Sequence, residues 1–339
     1  QTVKYNYEFK SILGISNIEP RLGMNSMWHS FISLFNINLL GYELVYYTNL
    51  IIYALFFYLI FQNKKIIGKL NKIYLFLSLS VLYILSYSFF HPNQNGTILN
   101  NLGSPEVDTV GMIFFLMTIF LYLKTEKLSK NSENLLLAFI FLAITIKITN
   151  IALFLFVIFI FLKNSTKSFF QKYYIFLYFS FLLWILKSIL LSGCLIFPIK
   201  QTCLNFSWSL GAENVENYKN IISAFNRGIF TKQDWSNFDF TIYSFDWFIP
   251  WFKNYFLNTE LLTISFLLIL IFLLLNILYY LKELIQKKKL TYNKNELFTF
   301  IVLIISIYIW LKAPEIRLGY GPIISITVFF IFILIKNIK

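Results

Sequence analysis

Residues 261–281, LLTISFLLILIFLLLNILYYL, run apolar for about the ~20 residues that a helix needs to cross a bilayer. The run does not alternate polar and apolar positions, so it is not a strand of a membrane barrel. A helix, which satisfies every backbone N–H and C=O within the segment, is the remaining solution in lipid. Similar runs recur along a chain that is 58% hydrophobic and only 13% charged. The fold class expected is all-α: a polytopic integral membrane helix bundle.

Spans are expected at about Tyr42–Phe61, Ile73–Phe90, Asp108–Leu123, Tyr173–Leu191, Thr259–Leu281, Leu297–Leu311 and Tyr320–Ile335. Residues 134–162 fit one long tilted helix, or two short helices broken at Lys147-Ile-Thr-Asn150. Two helices leave Lys163, Lys167 and Lys172 on the same side as Lys64, Lys65, Lys124 and Lys127, which the positive-inside rule favours. That choice makes about nine spans, with the N-terminus outside and the C-terminus cytoplasmic. The whole of 1–339 is read as a single membrane domain with no separate soluble domain. Residues 1–40 belong to the first outer loop, with amphipathic helices at Asn6–Leu13 and Asn25–Phe35, and 192–258 form a long outer loop. The net charge of +13 comes from lysines in short links, a topology signal rather than a nucleic-acid surface.

This topology sorts residue types by side. Arg21, Arg227 and Arg317, both histidines, both cysteines, all four aspartates and all seven prolines fall in outer segments or at outer helix ends. Arginine suits bidentate contact with phosphate or carboxylate. Lys147 at the helix break and Lys187 near an outer helix end both fit snorkelling side chains, and Lys147 is the better functional candidate because it stands at the break itself. Cys194 and Cys203 are read as a disulfide in an outer, oxidising compartment, worth about 2–3 kcal/mol by loop closure. Trp208, Trp235, Trp247 and Trp251 lie in the long outer loop, where DWFIPWFKNYF (246–256) reads as an interfacial amphipathic helix. No phosphate-cradling glycine loop, zinc motif or nucleophile elbow is present.

The stretch Asn101–Asp108, NLGSPEVD, stands directly before the apolar run 109–123. Ser104 reads as an N-cap, Pro105 as the first helical residue, and Glu106 and Asp108 as acids that complement the helix dipole. A carboxylate at the mouth of a membrane helix is also, by default, a functional-site hypothesis.

These features together resemble the GT-C superfamily of polytopic glycosyltransferases, and more narrowly a bacterial branch of that fold. Pro20-Arg-Leu-Gly-Met-Asn-Ser-Met-Trp28, Ser104-Pro-Glu-Val-Asp108, Ser192-Gly-Cys-Leu-Ile-Phe-Pro198 with Thr202-Cys203, and Lys312-Ala-Pro-Glu-Ile-Arg-Leu-Gly319 carry the resemblance, in the expected order. It implies transfer of a sugar from a polyprenyl-phosphate donor to a lipid-linked or surface glycan at the outer face of the bacterial inner membrane. Asp108 and Glu106 would be the catalytic carboxylates, one of them the general base on the acceptor hydroxyl. Asp108 falls where some members bind a divalent metal, Mg or Mn, or the lipid phosphate. Arg21 and Arg317, with Arg227 and Lys147, would bind phosphate or substrate.

The family's principal acid follows a span that would precede Gln1, so the sequence reads as N-terminally truncated. Three other readings stay open: a transporter or flippase of lipid-linked saccharides, a polysaccharide polymerase, and a non-catalytic assembly subunit.

Overall fold

The computed structural model describes residues 5, 6, 8, 11–35, 38–39, 42–62, 76–84, 106–124, 130–163, 172–228, 245–286 and 293–337. Among these the regular structure is helical apart from one two-residue antiparallel ladder, β1 (Asn38–Leu39) with β2 (Tyr42–Glu43), which pairs Asn38 with Glu43. The helices are α1 Met27–Ile32, α2 Thr48–Gln62, α3 within residues 76–84, α4 Val107–Lys124, α5 Lys130–Ile146, α6 Phe154–Lys163, α7 Lys172–Ser192, α8 Ala212–Gly228, α9 Phe248–Trp251, α10 Glu260–Ile285, α11 Lys294–Trp310 and α12 Ile316–Asn337. Of these, α4, α7, α10 and α12 are long and apolar enough to cross a membrane, while α2, α5 and the Ile148–Leu162 stretch are apolar but shorter.

Helices that are apolar all round can be buried on any face, so hydrophobicity alone does not rank them. Packing does. The apolar windows of α4 and α12 are 78% and 72% buried, against 22% for α7 and for α10. So α4 and α12 form the centre, and α7 and α10 form flanks that leave large apolar side chains exposed. Hydroxyls on the helices bond back to the carbonyl one turn earlier, as Thr118 does to Phe114 O at 2.7 Å and Ser306 to Val302 O at 2.8 Å. They therefore need no water.

Contacts at the two ends fix the direction of the helices. At one end Tyr122 stacks on Phe156 with centroids 4.0 Å apart, Phe298 stacks on Phe159 at 4.7 Å, and Lys336 pairs with Glu296. At the other end Ile146 packs with Val110, and Lys147 reaches Asp108. Helix α5 therefore climbs from the Tyr122 end to the Asp108 end. The chain turns at Lys147 and returns through a 3-10 stretch (Ile148–Leu153) and α6. This is the broken pair and not one tilted helix. Lys147 is extended (φ −144°, ψ 110°), which stops the helix. The Asn150 amide then donates to Ala143 O at 3.1 Å and Gly111 O at 3.2 Å, tying the turn to the end of α5 and to α4.

Several expected boundaries move. The first span begins at Thr48 rather than Tyr42, because β2 and a 3-10 turn (Leu44–Tyr47) occupy the start of the run. Residues 11–13 are not helical, so no helix reaches Leu13; a turn and a 3-10 stretch (Ile15–Asn17) follow instead. Pro322 lies inside α12, six residues past its start, rather than at its outer end. Lys187 does not snorkel: its Nζ donates to Ser30 Oγ at 2.7 Å and tethers α1 to α7. Ser104, Pro105, His91, Asp234, Trp235 and Asp239 lie outside the described residues.

Candidate functional site

The Asp108 end carries a roof built from 11–35, 192–228 and 245–258. Gly14 N donates to Leu190 O at 2.8 Å, and Asn17 Nδ2 to Trp208 O at 2.8 Å. Asn25 and Trp184 exchange side-chain-to-carbonyl bonds of 2.7 and 2.8 Å. Gly14 is left-handed (φ 67°), and a Cβ there would meet Trp208 O at 2.6 Å, so the roof closes on the bundle only with glycine at that point. Cys194 and Cys203 are joined by a disulfide within the roof.

Beneath the roof, four of the residues singled out from sequence come together. Glu106 immediately precedes α4, and Asp108 lies in its first turn. Lys147 Nζ is 2.6 Å from Asp108 Oδ1 and donates to Arg317 O at 2.6 Å. The two side chains of this pair are only 8% and 12% exposed. Gly111 leaves room for the lysine stem, since a Cβ there would come within 3.1 Å of Lys147 Cβ. One ammonium thus ties together the start of α4, the helix break and the start of α12.

Above this buried pair lies a more open one. Arg317 Nε is 2.5 Å from Glu315 Oε1, and Arg317 Nη1 is 3.9 Å from Glu106 Oε1. The Arg317 and Glu106 side chains are 42% and 38% exposed. Glu106 Oε2 is buried and has no hydrogen-bond partner. Burial, reinforced by the Asp108 charge and opposed by Arg317, raises the Glu106 carboxyl above the ordinary range. Such a group takes up a proton more readily than a free glutamate.

The backbone of Glu106 is held by Asn49. Its Nδ2 donates to Glu106 O at 2.8 Å, and its Oδ1 accepts from Trp28 Nε1 at 2.9 Å. Ser26 Oγ donates to Ile146 O at 2.8 Å, one residue before the break. So α1 and the residue before it grip both arms of the site. Sequence reasoning missed Asn49, a lone amide in an apolar helix with no motif around it. It also missed His29, whose Nδ1 is buried without a partner. Burial lowers His29 from 6.5 to about 4, against the attraction of Asp108 and with the repulsion of Lys187.

Arg21 is 78% exposed and 3.9 Å from Glu19, and Arg227 lies over the Trp247 ring at 4.6 Å. Both belong to the roof, away from the Asp108–Lys147 pair in its contacts. A divalent cation, expected at Asp108, does not fit the donors present. Asp108 faces an ammonium at 2.6 Å, and no three His, Cys, Asp or Glu side chains converge among the described residues.

A second set of contacts fixes the strand of backbone before Arg317. Trp251 Nε1 donates to Pro314 O at 3.2 Å, and Trp310 Nε1 donates to Glu315 O at 2.7 Å. Ile316 N donates to Tyr255 Oη at 2.8 Å. Burial pushes the Tyr255 phenol up to about 12, so it stays neutral beside Arg317 and Glu315.

No curated protein and no solved structure matches this chain. One family model does, over residues 1–324: the chain belongs to the family described as a domain of unknown function, DUF8201.

Proposed function

We propose that this protein is a membrane glycosyltransferase resembling the GT-C superfamily, acting at the Asp108 end of the bundle on a polyprenyl-phosphate-linked sugar. The observation that carries the reading is the open pair at that end: Glu106, with a raised carboxyl and an unpartnered buried oxygen, beside the half-exposed Arg317. A carboxylate raised above its ordinary range and a cation beside it form the pair that glycosyl transfer needs. The acceptor hydroxyl gives its proton to Glu106 as its oxygen bonds to the sugar C1. The bond from C1 to the phosphate oxygen breaks, and the electron pair leaves on the phosphate, which Arg317 holds. Asp108 and Lys147 position both groups from below.

In this reading the alternating segments α2, α3, α4, α5, α6, α7, α10, α11 and α12 make nine crossings of a bacterial inner membrane. The roof faces outward and the C-terminus the cytoplasm, and the acceptor is a lipid-linked or surface glycan. The buried ion pair at a discontinuous helix favours a second reading, a transporter of lipid-linked saccharides, since transporters build midplane sites on broken helices. The position of that pair at the mouth of α4 supports the transferase instead.

The test is Glu106→Gln in the full-length protein of the source organism, with surface glycans analysed by mass spectrometry. Loss of transfer by about 10²-fold or more is expected at normal protein levels. Undiminished transfer in the Gln variant removes Glu106 from the reaction and leaves the transporter reading.

A further inference from the structure

The segment 245–257 has two faces with different partners. One face carries Trp251 and Tyr255, which hold Pro314 O and the Ile316 amide, the backbone directly before Arg317. Trp310 holds the residue between them, and it packs so closely on Gly319 that a Cβ there would meet its Nε1 at 2.7 Å. Three consecutive residues are therefore gripped by three aromatic side chains. The grip depends on local winding: α9 passes at Phe252–Phe256 into a π-helical turn, with Leu257 N donating to Phe252 O at 3.0 Å. Such turns widen the helix and re-aim side chains, and they concentrate at functional positions.

The other face is exposed, and large apolar side chains share it with Asp246, Lys253 and Asn254. Phe245 is 86% exposed and Ile249 63%, with Phe248 and Leu257 beside them. This face leads within three residues of Leu257 into α10, whose exposed flank is itself a row of Leu, Ile and Phe. A soluble protein does not leave so much apolar surface uncovered without a partner. Continuity with the flank of a membrane-length helix identifies that partner as the bilayer, at the level where its headgroups meet its acyl chains.

We infer that residues 245–257 form a lipid-seated positioning segment, whose outer face lies in the membrane interface and whose inner face, through Trp251 and Tyr255, sets the placement of Arg317. The inference rests on the reading of Arg317 as the group that holds a phosphate. Trp251 and Tyr255 act through the backbone at 314–316 and need not touch the substrate themselves. Seating in lipid then keeps the guanidinium aimed, and the site is complete only when the protein is in a membrane.

The experiment uses the full chain in lipid nanodiscs, with farnesyl monophosphate as the probe. Binding is followed by the phosphorus resonance, and hydrogen exchange is followed in peptides covering 312–320. A spin label at an Ile249→Cys position, in a background with Cys194 and Cys203 kept as their disulfide, reports immersion. The label is expected to be accessible to oxygen and shielded from a water-soluble nickel complex. Tyr255→Phe is expected to raise exchange at 314–318 at least threefold and to weaken farnesyl monophosphate binding three- to tenfold, with an unchanged melting temperature. Arg317→Lys is expected to weaken binding tenfold or more while leaving that exchange unaltered.

A label that samples water overturns the lipid seat. Unchanged exchange and binding in both Tyr255→Phe and Trp251→Phe overturn the positioning role. Full binding in Arg317→Lys, with raised exchange in Tyr255→Phe, sinks the phosphate reading but leaves the coupling of segment to backbone standing.

Discussion

Asp108 is held by the Lys147 ammonium, and this sets what its substitution does. Asp108→Asn keeps the shape and an accepting oxygen but removes the carboxylate charge that balances the buried Lys147 ammonium. A loss of about 3–5 kcal/mol is expected, read as a lower unfolding midpoint in detergent. The paired change Asp108→Leu with Lys147→Met should recover most of it, because no charge is then stranded. An Asn variant that unfolds like the wild type would show that the pair carries no stability. His29 gives a pH prediction. Its pKa falls from 6.5 to about 4 on folding, so the folded state holds it neutral where the unfolded chain would protonate it. Its contribution is complete above pH 6.5 and is lost as pH falls toward 4, at up to ~1.4 kcal/mol per pH unit. His29→Phe should flatten the slope of stability between pH 6.5 and 4. At this scale the sequence was readable where a charge interrupts an apolar run, as at Glu106, Asp108 and Lys147. It gave Asp108 the leading role, whereas Glu106 has the open oxygen. Which of two neighbouring carboxylates meets the lysine depends on a helix break 39 residues away.

Among the elements, the break between α5 and α6 is the one on which the site depends. Asn150 bonds at once to Ala143 O, across the turn, and to Gly111 O on α4. Asn150→Ala should remove both hydrogen bonds that tie the turn to α4 and α5, with a loss of about 1–3 kcal/mol. It should also speed hydrogen exchange near 147–150 more than in the centre of α4. Equal protection in the variant would mean that the turn is held by other contacts. This break was legible because the lysine-bearing links fall on one side only if the chain reverses at Lys147. The late start of the first span was not. Residues 42–47 join the apolar run through Leu44 and Val45 despite Glu43, and the pairing of β2 with β1 and the 3-10 turn keep them out of the helix. The segment 246–256 was half legible: its pattern predicted a helix, which forms over 248–256, but the π turn that aims Tyr255 has no sequence signature.

Among the described residues, Glu106, Asp108, Lys147, Arg317 and the roof are gathered at one end of the bundle. The Asn17–Trp208 bond spans 191 residues and the Asn25–Trp184 pair 159, so the roof joins loops that no local pattern links. That distance is why its packing could not be read from sequence, although its side of the bundle could. In intact cells an impermeant thiol reagent should label the roof only after reduction of the disulfide. Cys203 should react faster than Cys194, which is fully buried. Labelling that requires permeabilised cells would invert the orientation. The pairing of Asp108 with Lys147 also bears on how the chain is made. These two charges lie on consecutive helices and emerge from the ribosome within 39 residues of one another. Arg317 follows 170 residues after Lys147. The hairpin of α4 and α5 can therefore enter the bilayer with its charges already cancelled, which removes most of the penalty for placing either one there alone. The Arg317 carbonyl then takes a second N–H of the same lysine, so the site is finished only after α12 has been made and has joined the hairpin.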